Sequence, residues 1–199
     1  LGFAGKAAAR IAGESEAFLQ TAAQQAKIVM ENSRLFDKVK SLSIRDSLTG
    51  LYNHRHTMEQ VANEFGRVGR YEGGVSLLMV DINHFKRVND EHGHDVGDRA
   101  LTHVATVVKS ALRESDMVCR FGGEEFVVVL PDAGAQGAMF VVDRLRSMIE
   151  KSPLPIAGGK LQIRISAGVA ELGADESREA LLKRADQALY AAKSAGRNR

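Results

Sequence analysis

One cysteine, Cys119, stands in 199 residues. That excludes a disulfide framework and any zinc site built on cysteines of this chain. A lone thiol fits a reducing compartment, so the cytoplasm is the expected location. No apolar run approaches the roughly 20 residues that span a bilayer, so no membrane segment is expected. No signal peptide is visible, and the first residue is Leu1 rather than Met, so the chain reads as part of something longer. Net charge is also lacking. Lys+Arg number 27 against 25 Asp+Glu, a formal balance of +2, which offers no argument for a nucleic-acid partner. Hydrophobic residues at 44% and charged residues at 26% are ordinary for a soluble globular protein. The length suits one domain with a core and an extra element.

From Glu14 to Ile44 there is neither proline nor glycine. Ala, Gln, Lys and Leu dominate, all good helix formers. Ile28, Leu35 and Leu42 recur every seven residues, with Val39 at a heptad spacing between the last two. Asn32 takes the corresponding earlier position, where a buried polar residue fixes register. Ala22, Ala26, Val29 and Phe36 form a second stripe. The pattern describes a long helix that pairs with a copy of itself, or one that packs on its own domain. Residues 1–44 are therefore expected to be a helical linker, and residues 45–199 the folded domain.

Beyond residue 45, helical and extended patterns alternate. A helix is expected to follow Asn53, up to about Tyr71, with a buried strand over Val75–Ile82 and a helix over Gly97–Leu112. "MVCRF" and "FVVVL" should form a hairpin, "AQGAMFVVDRLRSMIE" a helix, "LQIRISAGVAEL" a strand, and "SREALLKRADQALYAAKSAG" a last helix closed by Gly196. The expected fold class is α/β (α+β), a mixed sheet flanked by helices.

The hairpin "CRFGGEEFVVVL" carries acids that packing does not ask for. Gly122-Gly123 suits a two-residue turn. Glu124 and Glu125 are adjacent and repel, and a hard cation would remove that cost. Asp81 ends the apolar strand, and beside the hairpin it would share that cation with Glu124. After it comes "INHFKRVNDEHGHDVGD", with His92 and His94 read in a loop, Lys86, which could reach a phosphate, and Asn89 and Asp98, which match a guanine edge. Asn89-Asp90 and Gly97-Asp98 are equally good turns and caps. His92 and His94 lack further ligands and are expected to be solvated. Lys193 and Arg197, around Gly196, complement the helix dipole or hold phosphates. Arg113 and Asp116, with Arg144 further on, would bind a guanine and a phosphate or form surface ion pairs.

"DSLTGLYNHR", "DINHFKRVND", "RESD", "GGEEF" and "KSAGRN" occur in order from Asp46 onward. Together they resemble the GGDEF domain of bacterial diguanylate cyclases, here as a GGEEF variant. The resemblance implies a palm-like mixed α/β fold, as in nucleotide cyclases. It implies condensation of two GTP into cyclic di-GMP and two pyrophosphates, with Mg²⁺ or Mn²⁺ as cofactor. Asp81, Glu124 and the Ile82 carbonyl would bind metal, Glu125 would assist, and Glu124 would also serve as base. Asn89 and Asp98 would hold guanine. Lys86 would steady charge during transfer, and Lys193 and Arg197 would hold the terminal phosphates. Phe85, Gly122 and Gly123 would shape the pocket. Arg113, Asp116 and Arg144 match the family's inhibitory product site. Family members commonly have Asp where this chain has Asn83, and Asn-Arg-Arg where it has Asn53-His54-Arg55. The N-terminal helix is similar to the last helix of a GAF sensor domain.

Each domain would hold one GTP, so a functional homodimer is implied, joined by the helix with its catalytic domains facing. The main rival is a catalytically inactive receptor that binds cyclic di-GMP at Arg113 and Asp116; intact Asp81, Glu124 and Glu125 argue against it. A cyclase making a mixed guanine-adenine product is countered by Asp98. A purely structural dimerisation module would leave the acids unexplained.

Overall fold

A computed structural model describes residues 2, 20, 22–35, 44–68 and 74–199. The chain divides into two compact units, Leu1–Ser43 and Ile44–Arg199. In the first, residues 22–35 are helical (α1). Ile28, Val29, Met30 and Leu35 on this helix are exposed. Phe36, Val39 and Leu42 of the two apolar stripes lie outside the described residues, as does Tyr71 in the second unit.

The second unit runs β1 (Tyr52–Asn53), α2 (His54–Val68), β2 (Val75–Ile82), α3 (Phe85–His92), α4 (His94–Ala111), β3 (Met117–Arg120), β4 (Glu125–Pro131), α5 (Ala135–Glu150), β5 (Leu154–Ile156), β6 (Gly159–Leu161), β7 (Ile165–Glu171) and α6 (Arg178–Ser194). Five strands form one sheet in the order β1-β3-β4-β2-β7, and β5-β6 form a separate hairpin. β2 runs antiparallel to both its neighbours, and β1 pairs parallel with β3. This is the expected mixed sheet with helices on its faces.

All eight residues of β2 are buried, as a central strand requires. Its side chains alternate between two cores. Leu78, Val80 and Ile82 join one apolar cluster with Leu101 and Val104 of α4 and Leu145 of α5. Val75, Leu77 and Met79 join another, with Leu181 and Leu189 of α6. The same period sends Asp81 toward the face that α6 covers.

Gly168 of β7 sets how closely that helix lies. A Cβ there would stand 2.1 Å from the Leu189 nitrogen and 2.2 Å from the Ala185 oxygen, both backbone atoms. Only glycine admits α6 at this distance. Lys193 follows Leu189 by four residues, one helical turn closer to the end of β2 where Asp81 sits.

Three sequence expectations are corrected. The loop expected at His92 and His94 is nearly absent: α3 and α4 abut with only Gly93 between them, at φ 82°. His92 and His94 are therefore helix-end residues. The run Leu161–Leu172 is two strands, broken over residues 162–164 where β6 leaves for its own hairpin. Gly122 and Gly123 both lack the positive φ that a two-residue primed turn demands. Strands β3 and β4 are instead joined through residues 121–124, with the Phe121 N–H donating to the Glu125 carbonyl at 2.8 Å.

Candidate active site

The register of β2 against β4 places Asp81 directly opposite Glu125. The Ile82 N–H donates to the Glu124 carbonyl at 3.3 Å. The end of the central strand and the GGEEF turn are thus one structure, and three carboxylates gather at one sheet edge. Asp81 is buried, at 4% exposure. Lys193 answers it from α6, with Nζ 2.7 Å from Asp81 Oδ2.

This concentration of charge marks Glu124. Partial burial pushes its carboxyl above the ordinary range. Asp81 adds to that rise, Lys193 opposes it, and Glu125 raises it further. A carboxylate held against like charges is a ready base and a ready ligand for a cation.

Arg120 holds the turn. Its Nη2 and Nε donate to the Gly123 carbonyl at 2.8 and 3.2 Å, and its Nη1 lies 3.5 Å from Asp46 Oδ2. Sequence reasoning passed over Arg120, because a charged residue at a strand end is ordinary; only the fold shows Asp46 beside it. A Cβ at Gly123 would meet nothing within 4 Å. Neither backbone conformation nor internal packing demands glycine there, which leaves open space over the turn for a ligand. At Gly122 a Cβ would stand 2.8 Å from Glu125 Oε2, so this glycine makes room for the acid.

Phe85 opens α3 and is buried, while Lys86 beside it is exposed. Asn89, one turn on, lies against α4: a Cβ on Gly97 would stand 1.8 Å from Asn89 Oδ1 and 3.3 Å from Phe85 Cζ. Asp98, adjacent to Gly97, is exposed on α4. Asn89 therefore lies in the α3–α4 seam, whereas Asp98 lines a surface with Arg99, Thr102 and His103. Both stand inside helices, so neither is the turn or cap residue that was the alternative. Arg197 lies beyond α6 in the left-handed region, at φ 60°.

Arg113 and Asp116 form a second feature. The Arg113 N–H donates to Asp116 Oδ2 at 2.9 Å. Both line a cavity of about 280 Å³, whose wall also includes Arg45, Tyr52 and Lys109. Arg45 stacks over the Tyr52 ring, 4.7 Å from its centroid. Sequence reasoning missed these three, which no local motif marks. Arg144 is exposed on α5 and is not part of this wall.

The acids offer only hard oxygen donors, which suits Mg²⁺ or Mn²⁺. Among the described residues no three His, Cys, Asp or Glu side chains converge tightly enough to ligate an ion as they stand. The donor chemistry and the mutual repulsion fit a divalent cation. The fit requires Lys193 to share Asp81 with it.

Residues 43–199 match the family model described as "Diguanylate cyclase, GGDEF domain". Response regulator PleD of Caulobacter vibrioides is 42% identical over 165 residues, which cover 81% of this chain and 36% of that relative. The chain thus spans about a third of its relative's length. The GGDEF domain of DgcB from Caulobacter crescentus, solved in complex with c-di-GMP, superposes with a TM-score of 0.76 at 31% identity, covering 79% of this chain and 94% of that one. The active GGEEF domain of a diguanylate cyclase from Vibrio cholerae superposes at 0.69 with 33% identity, covering 74% and 94%. Among the described residues no helix is long and apolar enough to cross a membrane. With the acid-bearing turn between β3 and β4 set against the end of β2, and a family match over most of its length, this chain belongs to the GGDEF diguanylate cyclase family.

Proposed function

We propose that this chain is an active diguanylate cyclase that condenses two GTP into cyclic di-GMP and two pyrophosphates. The carrying observation is the charged sheet edge: Asp81 opposite Glu125, with the Glu124 carboxyl raised beside them. An inactive domain has no need of that arrangement, and the relative with the same GGEEF variant is described as active. Asp81, Glu124, Glu125 and the Ile82 carbonyl would hold Mg²⁺ or Mn²⁺, which when bound supplies Lewis acidity at the phosphates and at the attacking hydroxyl.

The chain's own residues do the rest. Asn89, in the α3–α4 seam, and Asp98, exposed on α4, orient guanine. Phe85, Gly122 and the open surface over Gly123 shape the pocket. Glu124 accepts the 3′-hydroxyl proton, a role its raised affinity for protons favours. Lys86 balances charge on the phosphates in flight, while Lys193 and Arg197 hold the terminal ones. One domain holds one GTP, so ring closure needs two chains with their sites facing. The exposed apolar residues of α1 supply the means to pair, raising the local concentration of the second domain. The Arg113–Asp116 cavity, with Arg144, would bind product and slow the enzyme.

The test is incubation of the purified chain with GTP and Mg²⁺, and separately with ATP and with both nucleotides. Chromatographic separation should give cyclic di-GMP from GTP and no mixed product. Tight binding of cyclic di-GMP without turnover would establish the receptor instead.

A further inference from the structure

Four polar or charged residues are buried among the described ones: Thr57, Ser76, Asp81 and Ser166. Two of them meet. Ser166 of β7 stands directly opposite Asp81 of β2, on the side away from Glu125. Glu125, Asp81 and Ser166 thus form one row across three strands. A buried hydroxyl costs free energy unless it is bonded. That of Ser166 is engaged twice: it donates to Asn83 Oδ1 at 2.7 Å and accepts from the Asn198 N–H at 3.1 Å.

The first bond holds the chain just past the acid. Asn83 comes directly after Ile82, whose carbonyl is a proposed cation ligand. The Asn83 N–H donates to the Arg164 carbonyl at 2.9 Å, toward the β7 side. The Ile82 carbonyl belongs to the same peptide group, and no peptide bond among the described residues is cis. In a trans peptide the C=O and the N–H point in opposite directions. The Ile82 carbonyl is therefore aimed away from β7, to the side where the Ile82 N–H meets the Glu124 carbonyl at 3.3 Å. Strand β2 ends at Ile82, and His84 turns into α3 through the left-handed region, at φ 59°. Such a conformation costs free energy in a residue with a Cβ, so the residue between them needs an anchor. The Ser166 hydroxyl supplies it.

The second bond ties down the tail. β7 is the last strand of the sheet, and its outer edge is covered, with the Ala167 N–H donating to the Arg199 carbonyl at 2.8 Å. Arg197 and Asn198 reach that position in left-handed conformations, at 60° and 52°. One hydroxyl therefore clasps two segments beside the acid row, one after β2 and one after α6.

We propose that Ser166 is a positioning residue of the cyclase: through Asn83 it holds the Ile82 carbonyl toward the cation that Asp81 and Glu124 share. The role rests on the cyclase reading above. Ser166 acts through Asn83 and not by contact with the cation. Outer partners of this kind orient metal ligands, and losing one costs about 10–100-fold in metal affinity.

The test is titration of Mn²⁺ into the full chain together with a GTP analogue whose α,β-bridging oxygen is replaced by methylene, with free Mn²⁺ read by electron paramagnetic resonance. Wild type should bind Mn²⁺ saturably. Ser166→Ala should bind it about tenfold or more weakly. Asn83→Ala should lose as much, and the double variant no more than either alone, because both break one connection. Ser166→Thr, which keeps the hydroxyl, should recover part of the loss. Ser76→Ala is the control: it removes an equally buried hydroxyl, which donates to the Ala133 carbonyl at the other end of β2. Its melting temperature should fall with that of Ser166→Ala, while its Mn²⁺ affinity should match wild type. Wild-type affinity in either Ser166→Ala or Asn83→Ala, or an equal loss in Ser76→Ala, overturns the proposal. If Ser166→Ala fails to fold, Asn83→Ala against Ser76→Ala decides. If wild type turns over GTP while the variants keep their Mn²⁺ affinity, the cyclase reading stands and the positioning role falls. If wild type binds no Mn²⁺ with the analogue, both fall.

Discussion

The sheet edge at Asp81 and the cavity at Arg113 are both charged, yet they are built in opposite ways. At the edge, regular β-pairing forces Asp81 and Glu125 into register, with Glu124 beside them and Lys193 as their nearby cation. The charges are held by the sheet and are not relaxed. At the cavity, Asp116 already accepts the Arg113 N–H, and both residues sit in the short link between α4 and β3. There the carboxylate caps its own loop, and the wall is otherwise rich in cations, with Arg45, Lys109 and Arg113. Like charges held together on a rigid strand suit chemistry, whereas a cationic cavity beside a short loop suits reversible binding.

The largest expected effect comes from relieving the frustration. Glu124→Gln removes a base and a cation ligand, and turnover should fall by about 10²–10⁴-fold. The same change should raise the melting temperature in metal-free buffer, because it deletes a carboxylate repelled by Asp81 and Glu125. A variant with normal turnover at limiting Mg²⁺, or one less stable than wild type, would show that the edge is not under this tension.

The pairing helix comes next. Replacing Leu35 and Leu42 by Asp places like charges in the expected seam, where each buried apolar side chain contributes roughly 1.5–3 kcal/mol. Specific activity should then rise with protein concentration, followed alongside mass by light scattering. A monomeric double mutant with full, concentration-independent activity would remove the helix from the mechanism.

The cavity should respond more modestly. Arg113→Ala loses a charge-assisted hydrogen bond to product, about 1.5–3 kcal/mol. Inhibition by added cyclic di-GMP should weaken accordingly, and equal inhibition of variant and wild type would detach the cavity from regulation. Gly97→Ala should have a smaller effect still. Its Cβ displaces the Asn89 carboxamide, the flexible end of a side chain. The fold should survive, and KM for GTP should rise several-fold, at a rotamer cost of about 0.5–1.5 kcal/mol.

The subtlest sign is the pH dependence of stability. Folding raises the Glu124 carboxyl through burial, then through Asp81 and Glu125. The folded state therefore holds that proton more tightly than the unfolded chain. Below the ordinary carboxylate value, 4.5, this group contributes no penalty. As pH rises from there through the elevated folded value, stability falls, and the full penalty remains above it. Glu124→Gln should flatten that part of the metal-free profile, as read from denaturation midpoints against pH.

Much of this was legible in the sequence, for reasons that differ by residue. Val75–Ile82 reads as a buried strand because a continuous apolar run of that length has few other uses. Asp81 and Glu124 stand out because packing cannot explain acids at those positions. The α3–α4 pair was hidden, because "NDEHGHD" lacks apolar periodicity and Gly93 reads as a loop. Arg45 and Tyr52 come to the Arg113 cavity from a distant segment, and so does Ser166 to Asn83 and Asn198. No local pattern encodes such meetings. Asn83 was noted only as a departure from the family, whereas the fold makes it a link, through Ser166, between the end of β2 and the tail.

The most direct test of the account is the ratio of products in a single time course. Purified wild-type chain is given GTP and Mg²⁺, and pyrophosphate and cyclic di-GMP are quantified together. A catalytic edge at Asp81, Glu124 and Glu125 predicts two pyrophosphates for every cyclic di-GMP, both formed at least about a hundredfold more slowly by Glu124→Gln. GTP that binds yet releases no pyrophosphate, or product formed by Glu124→Gln at near the wild-type rate, would contradict it.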